Sequence, residues 1–441
     1  MSEALQATKH RFLRLQMHSL IGIWIGYAMY YVVRSNFNLA LPYLSGEMGL
    51  TKTQLGLLTS CMLITYGLSK GFMSVLADKA NPKYFMATGL ALCVIINIIM
   101  GFTTHYSLFI ALIILLGLFQ GMGVGPSIIT VGYWFPRSQR GRASTIWNMS
   151  HNLGGGIVAP IVGAAVGYLG AEHWRLGTFT VPAMLAAIGV LLILYFVRKR
   201  PTEEGLPTVE EMYHEEAAGQ KSAKMDSERP DNMNAFHVFY HYVFKNPNSW
   251  YLVLIDVFVY MVRFGMLTWI PLYLLKVKGF SKAEMSVAYM LFEWAAIPST
   301  IIAGYLVDKY FKGRIMQLPI YCLVVIFACV IGYMNSDSIL WATIFACITG
   351  CLIYIPQSMI PVQAMEVIPT FALGSAVGLR GLMSYLVGSS LGTTLFGFVV
   401  DHYGWDMGFY TLLVGVVLCM FACYLSNRGV QKIYKQAADL K

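Results

Sequence analysis

Four cationic side chains stand inside apolar runs, where water is scarce: Arg34, Lys70, Arg263 and Arg380. The other 27 of the 31 Lys and Arg residues fall in connecting segments. An arginine at the centre of a spanning helix costs about 2.5–3.5 kcal/mol on insertion scales, so it persists where a partner or a function offsets that cost. The acids in the same runs are fewer: Asp256 near the start of one and Glu293 inside another. A positive surplus in low dielectric calls for an anion. A guanidinium presents paired planar donors that match phosphate oxygens, so two arginines facing each other suit a phosphorylated ligand. Lys70 is the cation most easily explained by snorkelling.

Polar groups of a matching kind accompany the arginines. The stretch "YAMYYVVRSNFN" (27–38) places Tyr27, Tyr30 and Tyr31 before Arg34. Tyr31 precedes Arg34 by one helical turn, and Tyr260 precedes Arg263 in the same way. Tyr354 and Tyr385 are further tyrosines in apolar runs; tyrosine there commonly marks the membrane interface. In "WNMSHNLGGG", Asn148 and His151 are spaced i, i+3 and share a helix face. A neutral imidazole there can donate one hydrogen bond to a phosphate, or it can simply join two helices. The glycines after it allow close helix approach. No strand precedes them and no Lys-Ser/Thr follows, so they are not a phosphate loop.

These residues need a membrane scaffold to hold them. The 441 residues are 57% hydrophobic and 12% charged, with mean hydropathy +0.60; a soluble domain averages roughly 25% charged. Apolar segments at about 19–41, 54–77, 84–103, 107–133, 143–169, 177–197, 249–274, 283–307, 316–334, 338–363, 372–400 and 408–426 are each about a membrane span long. None alternates as a barrel strand would. The expected fold is an all-α membrane protein of twelve transmembrane helices in two pseudo-symmetric six-helix bundles, 1–200 and 246–441, joined by a polar cytoplasmic linker, 201–245. The halves repeat: "YVVR" recurs as "YMVR" after 229 residues and "LADK" as "LVDK" after 230. Transporters of this plan bind substrate near mid-membrane, where the repeats meet.

With the N-terminus inside, cytoplasmic segments hold 22 Lys and Arg and outer loops hold five, which sets both termini and the linker in the cytoplasm. The segment Met365–Thr370 is the weak point, with no basic residue. The net charge of +9 thus marks topology, and no basic soluble face points to nucleic acid. Residues 1–17 lack an apolar centre, so the first span is expected to act as its own insertion signal. The eight cysteines lie in apolar runs and read as packing residues. No metal-ligand cluster and no nucleophile–base pair is expected, hence no cofactor and no enzyme.

The segments "GYAMYYVVRSNF", "FQGMGVGP", "FPRSQRGR", "WNMSHNLGGG", "VFVYMVRFGM", "FEWAAIPST" and "GLRGLMSYLVG" together resemble the organophosphate:phosphate antiporter family of the major facilitator superfamily, over nearly the whole chain outside the linker and tails. "DVFVYMVRFGM" and "GSAVGLRG" resemble its phosphoglycerate transporters in particular. The resemblance implies exchange of phosphoglycerate or phosphoenolpyruvate for inorganic phosphate by alternating access across a bacterial inner membrane; separately, a monomer is expected. It implies substrate contacts from Arg34, Arg263, His151, Asn148, Lys70, Glu293, Tyr27, Tyr31, Tyr260, Tyr354 and Tyr385. Asp78, Lys79, Asp308 and Lys309, in "LADK" and "LVDK", are expected to hold the cytoplasmic ends together as a gate.

Two departures sharpen the expectation. Glycerol-3-phosphate members of the family carry a second basic residue where this chain has Ser35. Hexose-phosphate members pair a lysine at the Arg380 position with an aspartate three residues earlier, where this chain has Val377. Arg380 therefore lacks a local acid and is expected to meet a second anionic group, such as a substrate carboxylate, unless Glu293 pairs with it. The alternatives are a glycerol-3-phosphate or hexose-6-phosphate antiporter, or a hexose-phosphate sensor built like a transporter.

Overall fold

The computed structural model describes residues 3–213, 235–311, 314–369 and 372–439, which are helical with short connections and contain no strand. Twelve long helices follow one another: α1 (Glu3–Glu47), α2 (Lys52–Lys79), α3 (Pro82–Phe102), α4 (Tyr106–Trp134), α5 (Arg137–Leu169), α6 (Leu176–Phe196), α7 (Pro247–Lys276), α8 (Lys282–Val307), α9 (Gln317–Asn335), α10 (Ile339–Val367), α11 (Leu373–Tyr403) and α12 (Trp405–Ile433). Each holds one of the twelve expected segments. Eleven are long and apolar enough to cross a membrane. The exception is α1, long enough at 45 residues but diluted by Arg34, Ser35, Asn36 and Asn38. Local chemistry sets several starts. Asn81 and Asn246 cap α3 and α7, each followed by proline at the first helical position, and Ser281 with Glu284 forms a capping box on α8. Pro42 in α1 and Pro271 in α7 lie 229 residues apart, each eight residues after its arginine, which extends the repeat.

By contact the chain forms two units. One comprises Met1–Ala40 with Thr65–Gln220, the other Leu41–Ile64 with Lys221–Lys441. In the first unit, buried amides tie helices together. Asn36 of α1 donates to the Asn97 side chain of α3 at 2.7 Å and to the Thr178 carbonyl at 2.9 Å; Asn97 returns a bond to the Val33 carbonyl at 2.9 Å. Asn97→Ala breaks two of these α1–α3 links. It is expected to lower the unfolding free energy by about 1–2 kcal/mol, the scale of interhelical hydrogen bonds in membranes. Equilibrium unfolding in bicelles checks this, and an unchanged midpoint would show that the amides contribute nothing.

In the second unit α7 is central, with 89% of its most apolar window buried. Backbone-close crossings surround it: a side-chain carbon added at Gly388 or Gly392 of α11 would lie 2.5 Å from the Val257 carbonyl oxygen or 2.2 Å from that of Met261. The start of α2 is clasped by α11. The Asp401 carboxylate accepts from the Lys52 amide at 3.1 Å and from the Thr53 amide and hydroxyl at 2.7 Å each, and lies 3.4 Å from the Lys52 ammonium. A carboxylate on helix-terminal amides satisfies donors that have no partner within the helix. Two turns on, Ser60 lies 2.5 and 2.6 Å from the hydroxyls of Thr393 and Thr394. Large apolar side chains such as Leu191, Val414 and Phe421 are exposed, as a lipid-facing surface requires.

Candidate functional site

In the first unit, Arg34 is buried between two aromatic rings. Its guanidinium carbon lies 5.0 Å from the Tyr31 ring centre and 4.2 Å from that of Tyr66 on α2. The Tyr27 hydroxyl lies 3.3 Å from that of Tyr66, and the Tyr27 ring packs on Tyr31 at 5.4 Å and on Trp147 at 4.7 Å. His151 is buried, its ring 5.2 Å from Tyr31, and its Nδ1 contacts the Asn148 carbonyl. If Nδ1 carries the proton it donates to that carbonyl and leaves Nε2 as acceptor; the opposite tautomer makes Nε2 a donor. The closeness of α5 to α1 has a simple cause. A side-chain carbon on Gly154 would lie 2.1 Å from the Ala28 carbonyl oxygen, so only glycine lets the helices meet there. Asn148 and Lys70 are exposed; of the residues expected in this unit, Tyr27, Tyr31 and His151 are linked to Arg34 through ring contacts.

In the second unit, Arg263 is buried with its guanidinium carbon 4.3 Å from the Tyr354 ring centre and 5.2 Å from that of Phe264. Its Nη1 donates to the Gln357 side chain at 3.4 Å, and Gln357 donates to the Tyr260 hydroxyl at 3.3 Å. The Tyr354 hydroxyl donates to Glu293 at 2.9 Å. Tyr260 and Tyr385 meet edge to face at 5.0 Å. Arg380 is paired, but not with Glu293: its Nε donates to the Asp256 carboxylate of α7 at 2.7 Å, with both side chains buried. The missing acid at Val377 is thus replaced by one from another helix. The turns of α11 after Arg380, Ser384–Gly388 and Leu391–Leu395, are wider π-helical turns that carry Tyr385.

At the expected gate, Asp78 and Lys79 are exposed at the end of α2. The side chain of Asp308 lies outside the described residues. Lys309 is exposed and donates to the Tyr305 hydroxyl at 3.2 Å. That bond, and a second to Tyr310, hold its ammonium above the usual lysine pKa.

The two half-sites are related by one offset. Tyr27, Tyr31, Arg34 and His151 each lie 229 residues before Asp256, Tyr260, Arg263 and Arg380. Ala28 and Val257, the floors on which Gly154 and Gly388 dock, are also 229 apart. Sequence reasoning missed Asp256 as a partner, and Tyr66, Trp147 and Gln357 as walls. The shared offset was the available signal for Asp256. For Tyr66 it was a tyrosine one turn before Lys70. Gln357 offered only its place one turn after Tyr354.

The Major Facilitator Superfamily profile matches residues 23–393. The phosphoglycerate transporter protein of Salmonella typhimurium is 55% identical over 434 residues, 98% of this chain and 93% of that protein. A glycerol-3-phosphate transporter of Bacillus subtilis is 38% identical, over 94% of this chain and 93% of its own. A membrane sensor protein of Escherichia coli is 32% identical, over 91% of this chain and 90% of its own. Among solved structures, an inward-facing bacterial homologue of the lysosomal transporter Spinster superposes with a TM-score of 0.78 at 16% identity, over 95% of this chain and 98% of that one, a likeness of fold. Buried, repeat-related arginines on a twelve-helix scaffold, the profile match and the extent of these identities lead to one assignment: the chain belongs to the major facilitator superfamily, in its organophosphate:phosphate antiporter family.

Proposed function

We propose that this protein exchanges a phosphorylated three-carbon acid, phosphoglycerate or phosphoenolpyruvate, for inorganic phosphate by alternating access, as a monomer of the bacterial inner membrane with both termini in the cytoplasm. The observation that carries the reading is the pair Arg34 and Arg263. Each is buried, each is laid over two aromatic rings, and they occupy equivalent places in the repeat. Stacking fixes the plane of a guanidinium while leaving its edge donors for phosphoryl oxygens. The 55% identity to a phosphoglycerate transporter supports the substrate class. His151, Tyr27, Tyr31, Tyr260, Tyr354 and Tyr385 add hydrogen bonds or walls, with Lys70 and Asn148 as outlying contacts. Gln357 and Glu293 hold Arg263 and Tyr354 in place. Asp78, Lys79, Asp308 and Lys309 serve the cytoplasmic gate.

No cofactor enters the cycle. Positive side chains in a closed, dry site oppose reorientation of the empty carrier, and a bound anion relieves that cost, which couples outward to inward movement. The test is counterflow into phosphate-loaded proteoliposomes. Labelled 3-phosphoglycerate, 2-phosphoglycerate and phosphoenolpyruvate are expected to enter in exchange for phosphate, ahead of glycerol-3-phosphate and glucose-6-phosphate. Binding without uptake would instead make this chain a sensor, like its Escherichia coli relative.

Arg380 supplies the contact to the substrate carboxylate. Arg380→Ala is expected to cut the preference for 3-phosphoglycerate over glycerol-3-phosphate by about tenfold or more, the worth of one charge-assisted hydrogen bond. Competition against labelled phosphate reads the ratio, and an unchanged ratio would remove Arg380 from carboxylate recognition.

A further inference from the structure

Resting on the transport reading above, we infer that Asp256 is a charge discriminator. By sharing Arg380 it lets the site accept a second anionic group of one charge, a carboxylate, and reject one of two charges, a phosphoryl group.

The pair is built from two helices. Asp256 on α7 holds the Nε edge of Arg380 on α11 at 2.7 Å. Both residues are more than nine-tenths buried. The opposite end of the same guanidinium, Nη1, is covered and has no hydrogen-bond partner among the described residues. A buried donor without an acceptor is costly, so an acceptor that reaches Nη1 on the end of Arg380 away from Asp256 relieves that cost. Asp256 also stands where the repeat places Tyr27, and Arg380 where it places His151. Where the first half has a tyrosine and a histidine, the second has an ion pair.

An ion pair of this kind treats anions unequally. Its two charges cancel at a distance, so it exerts little net pull. An approaching anion close to Nη1 gains the hydrogen bond but also meets the field of Asp256 across the guanidinium. Repulsion scales with the charge of the newcomer. A carboxylate carries one charge and keeps a net gain. A phosphoryl dianion doubles attraction and repulsion alike, so their balance keeps its sign, but the cost of taking it out of water grows roughly with the square of its charge, and the pull weakened by Asp256 no longer offsets that cost. Discrimination by a repulsive element inside an attractive site is a general route to specificity. It also fixes orientation: a phosphoglycerate presents its carboxylate, and not its phosphoryl group, to Arg380.

Asp256→Asn tests this, because the amide keeps the size of the side chain and can still accept from Nε but carries no charge. Purified wild type, Asp256→Asn, Arg380→Gln and the double variant are titrated with 3-phosphoglycerate and with 2,3-bisphosphoglycerate, by thermal-shift affinity in detergent and by inhibition of phosphate exchange. Wild type is expected to prefer 3-phosphoglycerate. In Asp256→Asn the affinity ratio of the bisphosphate to 3-phosphoglycerate is expected to rise by about tenfold or more, and in the double variant that rise is expected to vanish. An unchanged ratio in Asp256→Asn would overturn the inference, and so would a rise that persists without Arg380. Failure of wild type to bind 3-phosphoglycerate at all would overturn the transport reading instead.

Discussion

Replacing Arg34 or Arg263 by lysine is expected to lower phosphate exchange in proteoliposomes by about 100-fold, with the protein still folded. Charge is conserved in both variants, so the loss isolates the shape of the group. Arg34 lies over Tyr31 and Tyr66 and Arg263 over Tyr354 and Phe264, and these rings fix the guanidinium planes. A planar fork held in this way meets two phosphoryl oxygens with parallel bonds. An ammonium is a compact, strongly hydrated point charge on a flexible stem, and the stacking that orients arginine does not orient it. Losing one or two charge-assisted hydrogen bonds, each worth about 1.5–3 kcal/mol, corresponds to about two orders of magnitude. Arg263→Lys also gives up the bond to Gln357 that links it to Tyr260. Exchange of labelled phosphate for internal phosphate is the assay, because it needs no organophosphate and so probes the phosphoryl contact alone. Wild-type rates in either variant would show that the arginines act only as charges. Elution as a single folded species separates loss of contact from loss of fold.

Why one half of the site was more legible than the other follows from the kind of information each needed. Arg34 and Arg263 announced themselves locally, as costly residues in apolar runs with a tyrosine one turn before each. The helices around them were legible because a membrane span is a composition signal about 20 residues long. The partner of Arg380 was not local. Asp256 lies 124 residues away, and an acid sought three residues earlier on the same helix falls at Val377, which is exposed. Which residues of α7 and α11 face each other depends on helix rotation, and rotation is set by where backbones touch. Gly388 on Val257 and Gly392 on Met261 decide it, through contacts that residue types alone do not reveal. Tyr66 and Gln357 were hidden for the same reason: both serve arginines on other helices. The low apolarity of α1 has the same origin as its proposed function, since the polar residues that dilute it include Arg34.

That dependence on helix contact leads to the harsher expected result. Gly154→Ala and Gly388→Ala should lose most folded, exchange-competent protein, although alanine is the better helix former by about 1 kcal/mol. The added carbon at Gly154 would meet the Ala28 carbonyl oxygen at 2.1 Å and its carbonyl carbon at 2.8 Å; at Gly388 it would meet the Val257 carbonyl oxygen at 2.5 Å. These obstacles are backbone atoms of α1 and α7, so no side chain can swing away and a whole helix must move. Overpacking of a tight interior costs about 1–3 kcal/mol even where side chains can adjust, and here the shift also parts His151 from Tyr31 and Arg380 from Asp256. Gly167→Ala and Gly381→Ala are matched controls on α5 and α11, since nothing lies within 4 Å of the carbon each would add. The controls are expected to keep exchange and to unfold at or slightly above the wild-type temperature. The crossing variants are expected to unfold well below it, and any folded remainder to exchange slowly. If Gly154→Ala unfolded and exchanged like its control, α5 would be free to slide on α1. Helix approach would then not be what assembles the half-site.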